Sequence, residues 1–198
     1  MGSTSTGFAQ GGGRNVKIAV PSARRAGDLL VVAESSNQAN TLWATPKGWT
    51  AGGGGQLDGQ DLHWWWKIAS TSEPGHYTFG HSAWADGGIV MLDIRGLSST
   101  PIRGSSPLGA YDNSGTGNVT SAACMAVSYT GASLLLVGWQ STPAVVTWPS
   151  GYASPASATD GFAHVVATID PTSDPLSVEN VQLAPGQAAV LSLQIGLG

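Results

Sequence analysis

The sequence predicts an all-β protein, a single jelly-roll-like antiparallel β-sandwich of about eight to ten strands built from two similar halves. Three observations predict this fold class. Apolar runs are short and end at Gly, Pro, Asn or Ser, as strands between turns do. No window combines an apolar period of about 3.6 residues with helix-capping residues. Finally, the order of motifs in the first half of the chain returns in the second half.

The repeat consists of four successive motifs, each found twice in the same order. The second copy of each motif begins about 100 residues after the first. This repeat unit is longer than the roughly 20 to 50 residues of solenoid repeats, so we expect one domain with two similar halves. The paired motifs are Ala26–Val32 with Gly131–Val137, Thr45–Trp49 with Trp148–Tyr152, Leu62–Ile68 with Ala163–Ile169, and Ile89–Ile94 with Val190–Ile195.

The repeat also divides the chain. We expect residues 1–15 to form an N-terminal arm and residues 16–198 to form the sandwich domain, with a first half at about 16–97, a linker loop at 98–118 and a second half at about 119–198. The arm and the linker are the segments least able to build a core. Long segments without a core are usually functional or disordered. If the chain assembles with other subunits, we expect both segments to order on the neighbouring subunits.

Each predicted strand is a short apolar or alternating run. The run from Asp28 to Ala33 is almost continuously apolar, which predicts a strand covered on both faces. The other predicted strands are Val16–Val20, Leu62–Ala69, Tyr77–Phe79 and Gly88–Ile94 in the first half, and Ala122–Val127, Leu134–Trp139, Ala163–Thr168, Leu176–Val181 and Ala188–Ile195 in the second.

Two equivalent motifs predict the corner turns of the halves. Proline presets φ and glycine permits positive φ, so each motif fits a tight turn that places its aromatic residue on the sheet. We expect the aromatic to close one end of the sandwich. The structural residues of these turns are Pro46, Gly48 and Trp49 in the first half and Pro149, Gly151 and Tyr152 in the second.

The charge composition excludes several classes of protein. A formal net charge of -4 with only eight Lys and Arg argues against nucleic-acid binding, which needs a basic face. No apolar run reaches the roughly 18 residues of a membrane span, and no signal peptide is visible, so we expect synthesis in the cytoplasm. The single Cys124 excludes an internal disulfide and lies in an apolar run typical of a buried residue.

A resemblance to a known family rests on motifs along most of the chain. These are G-D-L-L-V at Gly27–Val31, P-x-G-W at Pro46–Trp49, E-P-x-x-Y-T-F at Glu73–Phe79 and G-G-I-V-M-L-D-I-R-G-L at Gly87–Leu97. Together they resemble the β-sandwich domain of tailed-bacteriophage virion proteins, which include head decoration or spike proteins and minor tail proteins.

The resemblance implies a non-enzymatic structural protein on the virion surface, made in the host cytoplasm. Because the domain is almost the whole chain, a capsid decoration or head spike subunit is favoured, and a minor tail protein comes next. The implied partners are the major capsid protein or other virion subunits and further copies of the chain in a homo-oligomer. Some members of the family are thought to contact host surface glycans.

The tryptophan-rich strand is the sharpest candidate site. Side chains alternate along a strand, so Trp64 and Trp66 share one face while Trp65 lies on the other with His63 and Lys67. Three interpretations stay open: core packing, a subunit interface, or a sugar-stacking platform that also uses Trp84. The third would make the chain a carbohydrate-binding module, which is the alternative function.

No motif in the sequence predicts catalysis. His63, His76, His81 and His164 lack the spacing of a metal site. Asp58 and Asp61 fit a solvated hairpin tip better than a calcium site. A hydrolase with scattered carboxylates is a weaker third option. We therefore expect no enzymatic activity, no catalytic residue, no metal and no cofactor.

Overall fold

The computed structural model describes residues 4–37, 43–57, 59–105, 109–112, 119–124, 132–140, 156–159, 163–170, 179–187 and 189–198. Its regular elements are all strands. They are β1 Thr4–Ala19, β2 Leu29–Ser36, β3 Trp43–Ala44, β4 Thr50–Leu57, β5 Gln60–Ile68, β6 His76–Ile94, β7 Ile102–Ser105, β8 Gly109–Asp112, β9 Val119–Cys124, β10 Ser133–Gln140, β11 Ala156–Thr159, β12 Ala163–Asp170, β13 Glu179–Gln187 and β14 Ala189–Leu197.

The strands form two large antiparallel sheets and one ribbon. The first sheet has the order β1-β6-β2-β5-β4 with β3 also paired to β6, and the second has the order β11-β12-β10-β14-β7 with β8 also paired to β14. Strands β9 and β13 form the ribbon. The all-β antiparallel sandwich expected from the sequence is confirmed. The strand count is higher than expected because β3, β4, β7, β8 and β11 carry little apolar pattern.

The two halves share one strand order and one register. In the first sheet Leu29 lies opposite Ile68 and Ile94, and in the second sheet Leu134 lies opposite Ile169 and Ile195. These are the same pairs of residues that the sequence repeat aligns. The motif of each half therefore marks the same three central strands, β6-β2-β5 in one sheet and β14-β10-β12 in the other.

The interface between the sheets is an apolar core that we call the inner cluster. Alternate residues of β2, β5 and β6 meet alternate residues of β10 and β14 there. Burying this apolar surface is the main force that joins the halves. Its buried members are Leu29, Val31, Ala33, Leu62, Trp64, Val90, Leu92, Ile94, Leu134, Leu136, Leu191, Leu193, Ile195 and Leu197.

The first sheet is also covered on its other face. Residues Val16, Ile18 and Phe79, from the paired ends of β1 and β6, pack on Leu30 and Val32 of β2 in a second apolar group, the outer cluster. Every residue of β2 is consequently buried. The continuous apolar run in this strand predicts this double cover.

Parts of the expected arm and linker form strands of the two large sheets. Residues 4–15 belong to β1, which pairs with β6 of the same chain. Residues 102–105 and 109–112 of the expected linker are β7 and β8, which pair with β14. Backbone hydrogen bonds to β6 and β14 hold these described segments. The part of the chain that the structure describes contains no helix long and apolar enough to cross a membrane.

Candidate functional site

The tryptophan strand β5 divides its rings between the two clusters. Trp64 belongs to the inner cluster, with partly buried Trp66 packed against it, while Trp65 belongs to the outer cluster. Trp64 and Trp65 are each only 2% exposed. Neither ring has a face open to a sugar, so within the described side chains the stacking interpretation retains only the partly buried Trp66.

The glycine run of β4 provides room for Trp64. A Cβ atom at Gly52 would lie 2.1 Å from Trp64 Cε2, well inside van der Waals contact. The register between β4 and β5 shifts at this point, between Ala51 and Gly53, as in a β-bulge. The backbone of β4 therefore passes directly over the indole, and any side chain at Gly52 would displace it.

Trp65 lies within an aromatic group on the outer face. Its ring centroid is 5.0 Å from that of Phe79, and its Nε1 donates a hydrogen bond to Thr45 Oγ1 at 3.3 Å. Trp49 packs edge-on against Phe79 at 5.3 Å and against Tyr77 at 5.1 Å. Aromatic pairs at such separations stabilise a core beyond their buried area.

The corner turn places Trp49 in this group. Gly48 has a φ of 84°, and the Trp49 amide donates to the Pro46 carbonyl at 3.1 Å, which closes a tight turn. Trp49 was expected to close one end of the sandwich. The turn places Trp49 in the outer cluster, on the face of the sheet that the paired ends of β1 and β6 cover. The equivalent residues Pro149, Gly151 and Tyr152 lie outside the described residues.

A charged cluster joins β5, the following turn and β6. Lys67 Nζ lies 2.9 Å from the Glu73 carboxylate and donates to Tyr77 Oη at 2.8 Å. The Tyr77 hydroxyl donates to the same carboxylate, and Ser70 donates to it through its amide at 2.6 Å and its hydroxyl at 2.9 Å. The Glu73 side chain has no exposed surface. We call these four residues the glutamate clamp.

The glutamate clamp shifts the pKa values of its members. Burial alone would raise the pKa of Glu73, but the hydrogen bonds from Lys67, Ser70 and Tyr77 outweigh it and lower this pKa to about 2. Burial alone would lower the pKa of Lys67, but its hydrogen bonds to Glu73 and Tyr77 outweigh burial and raise this pKa. Burial and the bond to Glu73 raise the pKa of Tyr77. The clamp therefore holds its charges at neutral pH and offers no group poised to exchange a proton.

Buried polar residues occupy the opposite end of the same face. Glu34 of β2 lies directly opposite His63 of β5, and Ser36 lies opposite Asp61. Glu34 and Asp61 have no exposed surface. Burial lowers the pKa of His63 to about 4, so this imidazole is neutral at neutral pH. A Cβ at Gly87 would lie 2.6 Å from Glu34 Oε1, so this glycine makes room for the carboxylate.

Some of the candidate site residues predicted from the sequence lie outside the described part of the structure. Trp84 lies on β6, but its side chain is not described, nor are those of His81 and His164; Asp58 lies outside the described residues. Across the described residues, no group of three or more His, Cys, Asp and Glu side chains could hold a metal ion.

The sequence-based prediction missed the glutamate clamp. It used Glu73 as the first residue of the E-P-x-x-Y-T-F motif and did not connect it with Lys67. The available signal was the alternation along β5, which places Lys67 on the face of Trp65, together with the tyrosine four residues after Glu73. It also missed the burial of Glu34, since charged residues are rarely buried.

Comparisons of this chain with models of protein families, with curated proteins and with solved structures find no match.

Proposed function

We propose that this chain is a non-enzymatic structural subunit on the surface of a tailed-phage particle, first a capsid decoration or head spike protein and second a minor tail protein. The support for the phage context is the motif resemblance in the sequence. The observation that carries the non-enzymatic part is that the carboxylates of Asp28, Glu73 and Asp93 are engaged in ion pairs within the fold.

The carboxylates illustrate this point. Asp28 and Asp93 form ion pairs with Arg95 at 3.4 and 3.0 Å, and Glu73 belongs to the glutamate clamp. Glycoside hydrolysis requires two carboxyl groups that flank a substrate-sized cleft, about 5 to 9.5 Å apart. Buried, paired carboxylates fit a structural role better than that chemistry.

The duplicated architecture also suits a particle subunit. Both central strands, β2 and β10, are buried along their described lengths, so each sheet is covered on two sides. Only 10% of the residues are charged, and charged residues are depleted at the centres of protein interfaces. We infer that the major capsid protein or other virion subunits contact the outer surfaces, and that these contacts are protein–protein contacts.

The test is co-purification with particles. The full chain carrying a small epitope tag is expressed during phage production, and particles are purified by density gradient and imaged with a gold-labelled antibody. We expect the chain in the particle band, with label on the head for a decoration or spike subunit and on the tail for a minor tail protein. Its absence from the particle band would overturn the proposal.

A glycan array with the same purified protein tests the alternative. A structural subunit is expected to bind no glycan. Saturable binding that Trp66→Ala or Trp84→Ala abolishes would replace the structural proposal with a carbohydrate-binding module.

A further inference from the structure

Basic and acidic side chains differ in their exposure to solvent. All eight Lys and Arg residues of the chain lie in described segments, and each is partly or fully exposed. The carboxylate side chains that the structure describes are all buried: Asp28, Glu34, Asp61, Glu73 and Asp93. The described surface therefore carries positive charge, although the formal net charge of the chain is -4.

Part of this positive charge gathers on connected loops at one end of the sandwich. Arg24 Nη2 donates to the Glu73 carbonyl at 3.2 Å, which joins the β1–β2 loop to the β5–β6 loop. Arg95 Nη2 donates to the Ala23 carbonyl, which joins the β6–β7 loop to the same place. Arg25 is exposed beside them. We call residues 21–28 the basic loop.

The carboxylates near the basic loop whose side chains the structure describes are engaged in ion pairs. Asp28 and Asp93 pair with Arg95, and Glu73 pairs with Lys67. Among the side chains that the structure describes, no carboxylate forms an ion pair with Arg24 or Arg25. A half-buried guanidinium that bonds only to a carbonyl remains able to attract an anionic group.

The complementary charge lies in the same chain. Residues 104–198 contain no Lys or Arg and five acidic residues, so their formal charge is -5, while residues 1–103 carry eight basic and seven acidic residues. Three of these acids, Asp112, Asp170 and Glu179, have a defined backbone position. Asp170 lies opposite Ser133 at the end of β12, and Glu179 lies opposite Cys124 at the start of β13. They flank the part of the second half that corresponds to the β5–β6 loop.

Both sets of positions belong to the same end of the molecule. The Leu197 amide donates to the Ala132 carbonyl at 2.8 Å, and the Gly198 amide donates to the Pro101 carbonyl at 3.1 Å. These bonds bring the start of β10, next to Ser133, together with the β6–β7 loop. One end of the sandwich thus combines the basic loop of the first half with acidic positions of the second.

We propose that this end is a docking surface for a second copy of the chain, in which the basic loop of each molecule faces Asp170 and Glu179 of the other. A two-fold axis satisfies both contacts at once, because a residue pair across such an axis occurs twice. The second copy is favoured over a nucleic acid because the complementary charge is in the chain itself and its net charge of -4 would repel a polyanion.

Sedimentation velocity of the full chain over a range of concentrations tests the proposal. We expect dimers at about 0.01 M ionic strength, and dissociation at about 1 M, where screening shortens the reach of charge from about 30 to about 3 Å. The paired charge reversals are Arg24→Glu with Arg25→Glu, and Asp170→Lys with Glu179→Lys. Each reversed protein alone should associate at least about tenfold more weakly than the wild type.

The decisive measurement uses an equimolar mixture of the two reversed proteins, because a mixed dimer restores both attractive contacts. Arg14→Glu with Lys17→Glu makes the same change in net charge on β1 and should leave association unchanged. Arg25→Glu alone should also weaken association, and it keeps the Arg24 contact with Glu73; circular dichroism checks that each variant is folded.

Three outcomes would overturn the proposal: a wild-type monomer at every concentration, a mixture that does not recover dimers, or retention on a polyanion column without self-association. The experiment needs no phage particle. The proposed function can therefore fail while the dimer is confirmed, and the dimer can fail while the proposed function is confirmed.

Discussion

Among the described residues, the two halves differ at the edge strands β4 and β11. In the first half β4 crosses Trp64 with a register shift and a glycine run, whereas in the second half β11 pairs with β12 in unbroken register from Ala156 to Thr159. The residue equivalent to Trp64 is Val165. A large ring therefore occurs with a bulged glycine strand, and a small side chain occurs with a regular strand.

This difference shows that a duplicated fold can change one residue only when its neighbour changes with it. Protein cores are close-packed, so an indole in place of a valine needs space that an ordinary edge strand does not leave. Gly52 supplies that space by having no Cβ. The asymmetry between the halves is consequently a paired change in packing, and it adds aromatic bulk without opening a ring to solvent.

The largest expected effect comes from giving the first half the residue of the second. Trp64→Val removes a fully buried ring from the inner cluster and leaves a cavity, so we expect a loss of about 3 to 5 kcal/mol in the free energy of unfolding. Urea denaturation measures it. A loss below about 1 kcal/mol would mean that the indole is not part of the core.

The glutamate clamp is the next difference between the halves, because the residue equivalent to Lys67 is Thr168. Glu73→Gln removes a buried, charge-assisted acceptor and should cost about 1.5 to 3 kcal/mol at neutral pH. The folded-state pKa of Glu73 is lowered from 4.5 to about 2, so its contribution is complete above pH 4.5 and is lost as the pH falls toward 2.

Denaturation curves between pH 2 and 7 should therefore converge for the wild type and Glu73→Gln at the acid end. The matched control is Asp174→Asn in the second half, where Asp174 and Pro175 take the place of Glu73 and Pro74 in the repeat. Curves for Glu73→Gln and the wild type that stay parallel across this range would contradict the clamp.

The junction between the halves is sensitive at Gly138. A Cβ there would lie 2.5 Å from Ser35 Oγ and 3.0 Å from Ser35 Cβ, so β10 and β2 approach each other closely at this point. Gly138→Ala should destabilise the fold by about 1 to 3 kcal/mol through overpacking. Thermal unfolding checks this value, and Ser35→Gly in the same chain should recover part of the loss. An unchanged melting temperature would show that the halves do not meet here.

The smallest expected effect at neutral pH concerns the equivalent histidines His63 and His164. The pKa of His63 is lowered from 6.5 to about 4, so the unfolded chain binds the proton first and stability falls as the pH drops from 6.5 to 4. His63→Gln should flatten this decline, and His164→Gln is its counterpart in the second half. If His63→Gln keeps the full slope, His63 is not the buried neutral group.

The sequence predicts the central strands well and the edges poorly. The strands β2, β5, β10 and β14 have strong apolar patterns, and the repeat aligned them in the register that the structure shows. By contrast, β4 contains Gly52–Gly55, which have no side chains to alternate, so no pattern marks it as a strand. Two predicted strands at Tyr77–Phe79 and Gly88–Ile94 are one long strand, β6.

The polar contacts were harder to predict for a different reason. Lys67 and Glu73 meet only because the turn after β5 returns the chain to the face of Trp65. Sequence spacing alone does not fix that return. Glu34 reads as a surface residue by its type, but its side chain is buried because β2 is covered on both faces of the sheet.

A double-mutant cycle at Gly52 and Trp64 tests most directly that the difference between the halves is a paired change. Gly52→Ala alone should cost about 1 to 3 kcal/mol, because its methyl group would overlap the indole. In the Trp64→Val background the same substitution should cost little, giving a coupling energy of about 0.5 to 3 kcal/mol between the two positions. Additive losses would contradict the account, since Gly52 would then be required for a reason unrelated to the ring.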